Sequence, residues 1–183
     1  MKSLIPEFID EAFSAGERQG RFRAFALFID LTDFTPLTEA MMNQGKEGAE
    51  RLSLFLNSMF APLVRMVYER GGFVPYFAGD AFHGIFPLSR NDEEQLESIL
   101  QLANEIRQFV VSLPPVENFK VGVKQGLELG EAEWGIVGKD YVHSFYFRGS
   151  AIDGSSDARS CLGSRNQIKW KRDDHFWLPP DEY

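Results

Sequence analysis

The stretch Phe25-Ala26-Leu27-Phe28-Ile29-Asp30-Leu31-Thr32-Asp33-Phe34-Thr35 decides the fold. Its first part is apolar nearly throughout, which predicts a strand over 22–31 covered on both faces. Asp30 falls at the end of that run. Thr35-Pro36 reads as a helix start, with Thr35 capping free backbone N–H groups, Asp33 a competing cap, and proline suited to the first helical position. A carboxylate set among side chains that bury is costly unless something positive meets it. A second acid of this kind stands in Tyr76-Phe77-Ala78-Gly79-Asp80-Ala81-Phe82, where a turn is predicted between short strands over 73–77 and 81–86. Hard divalent cations such as Mg²⁺ take oxygen ligands, usually one or two carboxylates plus substrate phosphates. Asp30 and Asp80 together therefore point to a two-metal phosphoryl-transfer site.

Between these acids, Gly45 and Gly48 bracket a short polar connection. A long helix follows, with Leu52, Phe55, Leu56, Met59, Phe60, Leu63, Val64 and Val67 at the three-four spacing of one buried face. Pro62 should kink it and Gly71-Gly72 should end it. A second amphipathic helix is predicted over 92–113, stopped by Pro114-Pro115. Strands are predicted over 120–129, over 132–137 beyond Gly130, and over 142–147. A helix over 152–162 and a short strand over 167–170 come last, and a helix over 5–15 opens the chain. Strand, helix, strand, strand, helix, strand is the ferredoxin-like order: an α+β fold, a split βαβ sheet with helices packed on one face. The expected organisation is a lead-in over 1–20, one domain over 21–178, and a tail or linker over 179–183. In this order the first strand and the 73–86 hairpin lie side by side, so Asp30 and Asp80 approach each other across fifty positions.

The bulk properties fit one domain. The chain has 183 residues, and its 27 acidic against 19 basic residues give a net charge of -8. That argues against a nucleic-acid binder, which would show a basic face; a nucleotide is still compatible, because metal ions neutralise phosphates locally. Seventeen phenylalanines predict a ring-rich core. The single cysteine, Cys161, excludes an intramolecular disulfide, reads as a small buried apolar residue, and suits a reducing, cytoplasmic compartment. No apolar run reaches the length of a membrane span, and Pro6 and Glu7 interrupt the N-terminus where a signal peptide would be apolar. His83, His143 and His175 are scattered without metal-ligand spacing.

The segment Phe28-Ile29-Asp30-Leu31-Thr32-Asp33-Phe34-Thr35-Pro36-Leu37-Thr38-Glu39 resembles the first metal-binding segment of class III adenylyl and guanylyl cyclases. Phe77-Ala78-Gly79-Asp80-Ala81, followed by Phe86, resembles their second. Residues 121–138 resemble the paired strands that follow, with a Gly-Ile-Val-Gly turn at 135–138, and 149–159 lies where the family places its catalytic helix. The resemblance implies Mg²⁺ or Mn²⁺ held by Asp30 and Asp80, with a backbone carbonyl from Leu31 or Ile29. It implies ATP (or GTP) as substrate, with the N–H groups of Phe34 and Thr35 on phosphate oxygens.

Departures from the family pattern refine this. Tyr76 and Tyr146 stand where adenylyl members carry the lysine and aspartate that read the base. Asp153 and Asp157 stand where the family has the asparagine and arginine of its catalytic helix. Arg159, two positions on, is the nearest substitute for that arginine, through a shift in register. Such a chain resembles the first, metal-binding domain of tandem soluble adenylyl cyclases. A homodimer would hold metals without the transition-state arginine, so a second cyclase domain is the implied partner and little turnover is expected from the isolated chain. The alternative is a catalytically inactive cyclase-fold module for regulation or dimerisation. Diguanylate cyclases and polymerase palms also pair carboxylates on a split βαβ sheet, but their Gly-Gly-acidic-acidic turn is absent.

Overall fold

The computed structural model describes residues 6–139, 142–160, 167–172 and 175–177. In chain order the elements are α1 (Glu7–Ser14), β1 (Gln19–Thr32), α2 (Phe34–Met42), α3 (Gly45–Glu69), β2 (Phe77–Ala78), β3 (Ala81–Pro87), α4 (Asp92–Ser112), β4 (Gly122–Lys139), β5 (Val142–Arg148), α5 (Ser150–Ser160), β6 (Gln167–Arg172) and β7 (His175–Trp177). They form one sheet in the order β2-β3-β1-β4-β6-β7, with β5 pairing the far half of β4. All pairings are antiparallel except β4 with β6.

The period of two along β1 sorts the core. Phe25, Leu27, Ile29 and Leu31 point to one face, where they meet Leu37 and Met41 of α2, Met59, Leu63 and Val67 of α3, and Ile99, Leu102 and Ile106 of α4. This is the face the split βαβ pattern covers with its long helices. Ala24 and Ala26 point the other way, into a second cluster with Ile9 of α1, Trp134, Phe147, and Ala151 and Ile152 of α5. Small residues on β1 give the two short helices room on that face. Phe8 fills the space beside α1, its ring 5.5–6.5 Å from those of Phe22, Phe73, Trp134 and Phe147. Among the described residues no helix is long and apolar enough to cross a membrane.

Several boundaries differ from the sequence expectation, each for a local reason. Gly130 does not end a strand: β4 runs through it, paired with Ala24, and a Cβ there would lie 2.6 Å from the Ser150 hydroxyl. The glycine admits the start of α5. Gly135–Gly138 likewise stays in the strand instead of turning, and a Cβ on Gly135 would lie 2.5 Å from the Tyr146 hydroxyl and 2.6 Å from its ring. Gly45 and Gly48 belong to α3; a Cβ on Gly48 would sit 1.8 Å from the Met41 carbonyl, so glycine lets α3 pass close to the end of α2. The ladder expected over 73–77 shrinks to a single bridge between Phe73 and Ile85 plus β2, because Pro75 has no N–H to donate. The cap position of α2 is Asp33, the competitor of Thr35, held at φ 60°, and the helix begins at Phe34, two residues before Pro36. Cys161, Leu162 and the 179–183 tail lie outside the described residues.

Candidate functional site

Two rows of residues run across the sheet under α5. In the first, His83 of β3, Phe28 of β1 and Gly126 of β4 are successive cross-strand partners. In the second, two residues further along, the partners are Ala81, Asp30 and Lys124. Directly opposed residues of an antiparallel pair share a face, so Asp30 and Lys124 project to the α5 side. Asp80 immediately precedes Ala81, and its carbonyl accepts a bond of 3.3 Å from the Leu31 N–H. The sheet thus places Asp30 near the end of β1 and Asp80 in the turn just before β3, one residue out of register, with the main-chain bond running from the residue after Asp30 to Asp80. Asp80 is half-buried and Asp30 is 8% exposed.

Glycine brings α5 down onto the first row. A Cβ on Gly126 would lie 1.9 Å from the Ser155 carbonyl and 2.7 Å from the Arg159 backbone nitrogen. That close approach sets Arg159 above Phe28, its guanidinium carbon 5.8 Å from the ring centre. From there Arg159 Nε donates to Asp30 Oδ2 at 2.9 Å, and Nη2 donates to the same oxygen. Arg159 therefore reaches the metal-ligand position itself. His83 anchors the middle of the helix: its Nε2 lies 3.2 Å from the Ser156 hydroxyl, and its ring is 4.6 Å from that of Phe28.

The electrostatics follow from this packing. Burial pushes the Asp30 carboxyl above the usual carboxylate range. The hydrogen bond and charge of Arg159 pull it back, the nearby Asp80 charge raises it, and Lys124 lowers it. Burial lowers His83 to about 4, so it is neutral at ordinary pH. Tyr76 is raised, first by burial and then by the Asp153 charge.

The remaining expected residues fall as follows. Phe34 and Thr35 are the first two residues of α2. Phe34 packs edge-on against Phe60 at 6.2 Å, and Thr35 is exposed. The Leu31 side chain is buried in the long-helix core, which leaves only its backbone to serve the site. Tyr76 is 38% exposed, with its ring 6.0 Å from His83. Asp153 and Asp157 are both exposed on α5. Lys124 was not singled out from the sequence. Strand alternation from Val123 and Leu127 would have put it on the Asp30 face, but only the β1–β4 register reveals its partner.

The donors suit a divalent cation in kind. They are two carboxylates and, at the end of β1, the Thr32 hydroxyl, a buried oxygen on the Asp30 face without a hydrogen-bond partner among the described residues. They do not by themselves make a full coordination shell: no group of three His, Cys, Asp or Glu residues suited to a metal occurs among the described residues. Phosphate oxygens would have to supply the rest. Arg159 competes for one of the Asp30 oxygens.

This architecture is the class III nucleotidyl cyclase fold. The adenylyl cyclase CyaB from P. aeruginosa superposes with a TM-score of 0.67 at 17% identity, over 85% of this chain and 80% of that one. The guanylate cyclase domain of RhGC from Catenaria anguillulae, solved in complex with GTP, superposes with a TM-score of 0.66 at 16% identity, over 82% and 79%. Curated sequence relatives are adenylate cyclases. Human adenylate cyclase type 10 is 29% identical over 157 residues, covering 81% of this chain and 10% of the relative. The terminal-differentiation specific adenylate cyclase of Dictyostelium discoideum is 30% identical over 117 residues, covering 62% and 5%. The chain thus spans a tenth or less of these relatives' length. No family model matches it.

Proposed function

We propose that residues 21–178 form the metal-binding half of a cytoplasmic adenylyl cyclase, which makes cyclic AMP and pyrophosphate from ATP together with a complementary cyclase domain. The observation that supports this reading is the placement of Asp30 opposite Ala81, next to Asp80, with the Leu31 N–H bonded to the Asp80 carbonyl and the Asp80 charge felt at Asp30. Mg²⁺ or Mn²⁺ bound there supplies positive charge to the phosphate oxygens. Asp30 and Asp80 would hold the cation, with the Leu31 carbonyl and phosphate oxygens as further oxygen ligands. The N–H groups of Phe34 and Thr35 open toward phosphate oxygens from the start of α2. Tyr76 offers a half-exposed ring beside which a base can stack. Exposed Asp153 and Asp157 oppose rather than stabilise charge on the reacting phosphate, which is why the complementary domain must bring its own cation.

Calorimetry with ATP and Mn²⁺ tests the reading. Metal-dependent nucleotide binding is expected, and Asp30→Asn and Asp80→Asn should each abolish it. Binding that survives both substitutions would refute it, as would cyclic AMP formation by the isolated chain at a rate typical of complete cyclases. The Arg159–Asp30 pair favours a second reading, a cyclase-fold partner module without catalysis. That reading expects stable self-association and no nucleotide binding.

A further inference from the structure

We propose that Lys124 and Arg159 stand in for one of the two divalent cations, so that this chain binds a nucleoside triphosphate with a single metal ion. The inference rests on the cyclase reading of the site and adds the number of ions it takes.

The argument begins with charge. Asp30 and Asp80 carry two negative charges. On the same face, Lys124 is the direct cross-strand partner of Asp30, and its charge is felt at that carboxyl. Arg159 approaches from α5 and donates twice to Oδ2. Two carboxylates with two protein cations are neutral. Adding one divalent ion gives the same net charge as two divalent ions bound to the carboxylates alone, and so offers a triphosphate the same counter-charge.

The second strand of the argument is valence. An ionised carboxylate has about four acceptor sites on two oxygens. Arg159 spends its two bonds on Oδ2, which leaves the other oxygen of Asp30 and the Asp80 carboxylate to share an ion. Two ions bridged by both acids would need the oxygen that the guanidinium holds. The third is the scaffold. Arg159 is not a free surface arm: its helix is seated on Gly126 with no room for a Cβ, and His83 and Ser156 hold the helix one turn back. Lys124 sits in the interior of a strand paired on both sides.

Counting Mn²⁺ by electron paramagnetic resonance, with a saturating non-hydrolysable ATP analogue, tests the inference without any turnover. One bound Mn²⁺ per chain is expected for the native protein. The double variant Lys124→Gln, Arg159→Gln should take a second Mn²⁺ at least ten times more tightly than the native chain does. Arg159→Lys, which keeps the charge, should remain at one. Two Mn²⁺ in the native chain would overturn the inference and leave the cyclase reading standing. A double variant that still holds only one would do the same. Failure of the native chain to bind analogue and Mn²⁺ at all would overturn both.

Discussion

Replacing His83 with phenylalanine should remove most of the acid sensitivity of this fold between neutral pH and about pH 4.5. His83 is 4% exposed, stacked on Phe28 and bonded toward α5. Its burial is the largest influence on its proton affinity, and a backbone hydrogen bond at Ile152 offsets it only in part, leaving it at about 4 against the usual 6.5. In the unfolded chain the imidazole protonates near 6.5, while in the fold it resists until about 4. The unfolded state therefore binds more protons throughout that window, and stability falls as pH falls. The contribution is fully present above about 6.5 and gone below about 4. At roughly 1.4 kcal/mol per pH unit it amounts to about 3 kcal/mol.

His83→Phe keeps a flat ring beside Phe28 and deletes the titration. Ser156 keeps its 3.1 Å bond to the Ile152 carbonyl in the variant. Urea unfolding of both proteins from about pH 7.5 down to about pH 4.5 separates this term from the carboxylates, which titrate in both. The native protein should lose about 2–3 kcal/mol more than the variant over that range. Parallel losses in the two proteins would show that His83 is not held neutral by the fold, and the reasoning would fail.

Gly126→Ala should cost about 1–3 kcal/mol, since its methyl carbon would lie 1.9 Å from the Ser155 carbonyl and α5 must lift to admit it; urea melts measure this, and an unchanged midpoint would contradict the close seating of that helix. Arg70→Met should cost about 1 kcal/mol, because Arg70 ties the end of α3 to α4 through the Ser98 carbonyl at 2.8 Å and both Glu105 oxygens at 2.7 and 2.8 Å. The pair is partly exposed, so the loss should shrink in high salt, and a salt-independent loss would mean that packing alone is responsible.

The central strand, the two long helices and the junction of Asp30 with Asp80 were legible because each is written in a local pattern. An unbroken apolar run, a three-four stripe and an acid at the mouth of a turn need no knowledge of distant partners. What misled was glycine. In sequence Gly45, Gly48, Gly130 and Gly135 look like punctuation, whereas a Cβ at Gly48, Gly130 or Gly135 would strike a neighbouring element. The missing side chain serves tertiary clearance there, and no local window displays that. Between the two cap candidates of α2, Asp33 prevails over Thr35 by adopting φ 60°, a conformation that only a minority of aspartates take. Lys124 and the reach of Arg159 were illegible for a related reason. Their roles depend on which residue of one strand faces which residue of another, and on how deeply a helix sinks.

The uninterrupted course of β4 has a mechanical consequence. Gly122–Lys139 is a single beam, clamped by β1 along most of its length, by β6 near Lys124 and by β5 at its far end. A hinge at Gly130 would have isolated the outer hairpin from the acids. Without one, a body that grips the hairpin pulls on the same rigid girder that carries Lys124, and a tug at the periphery is felt at the centre.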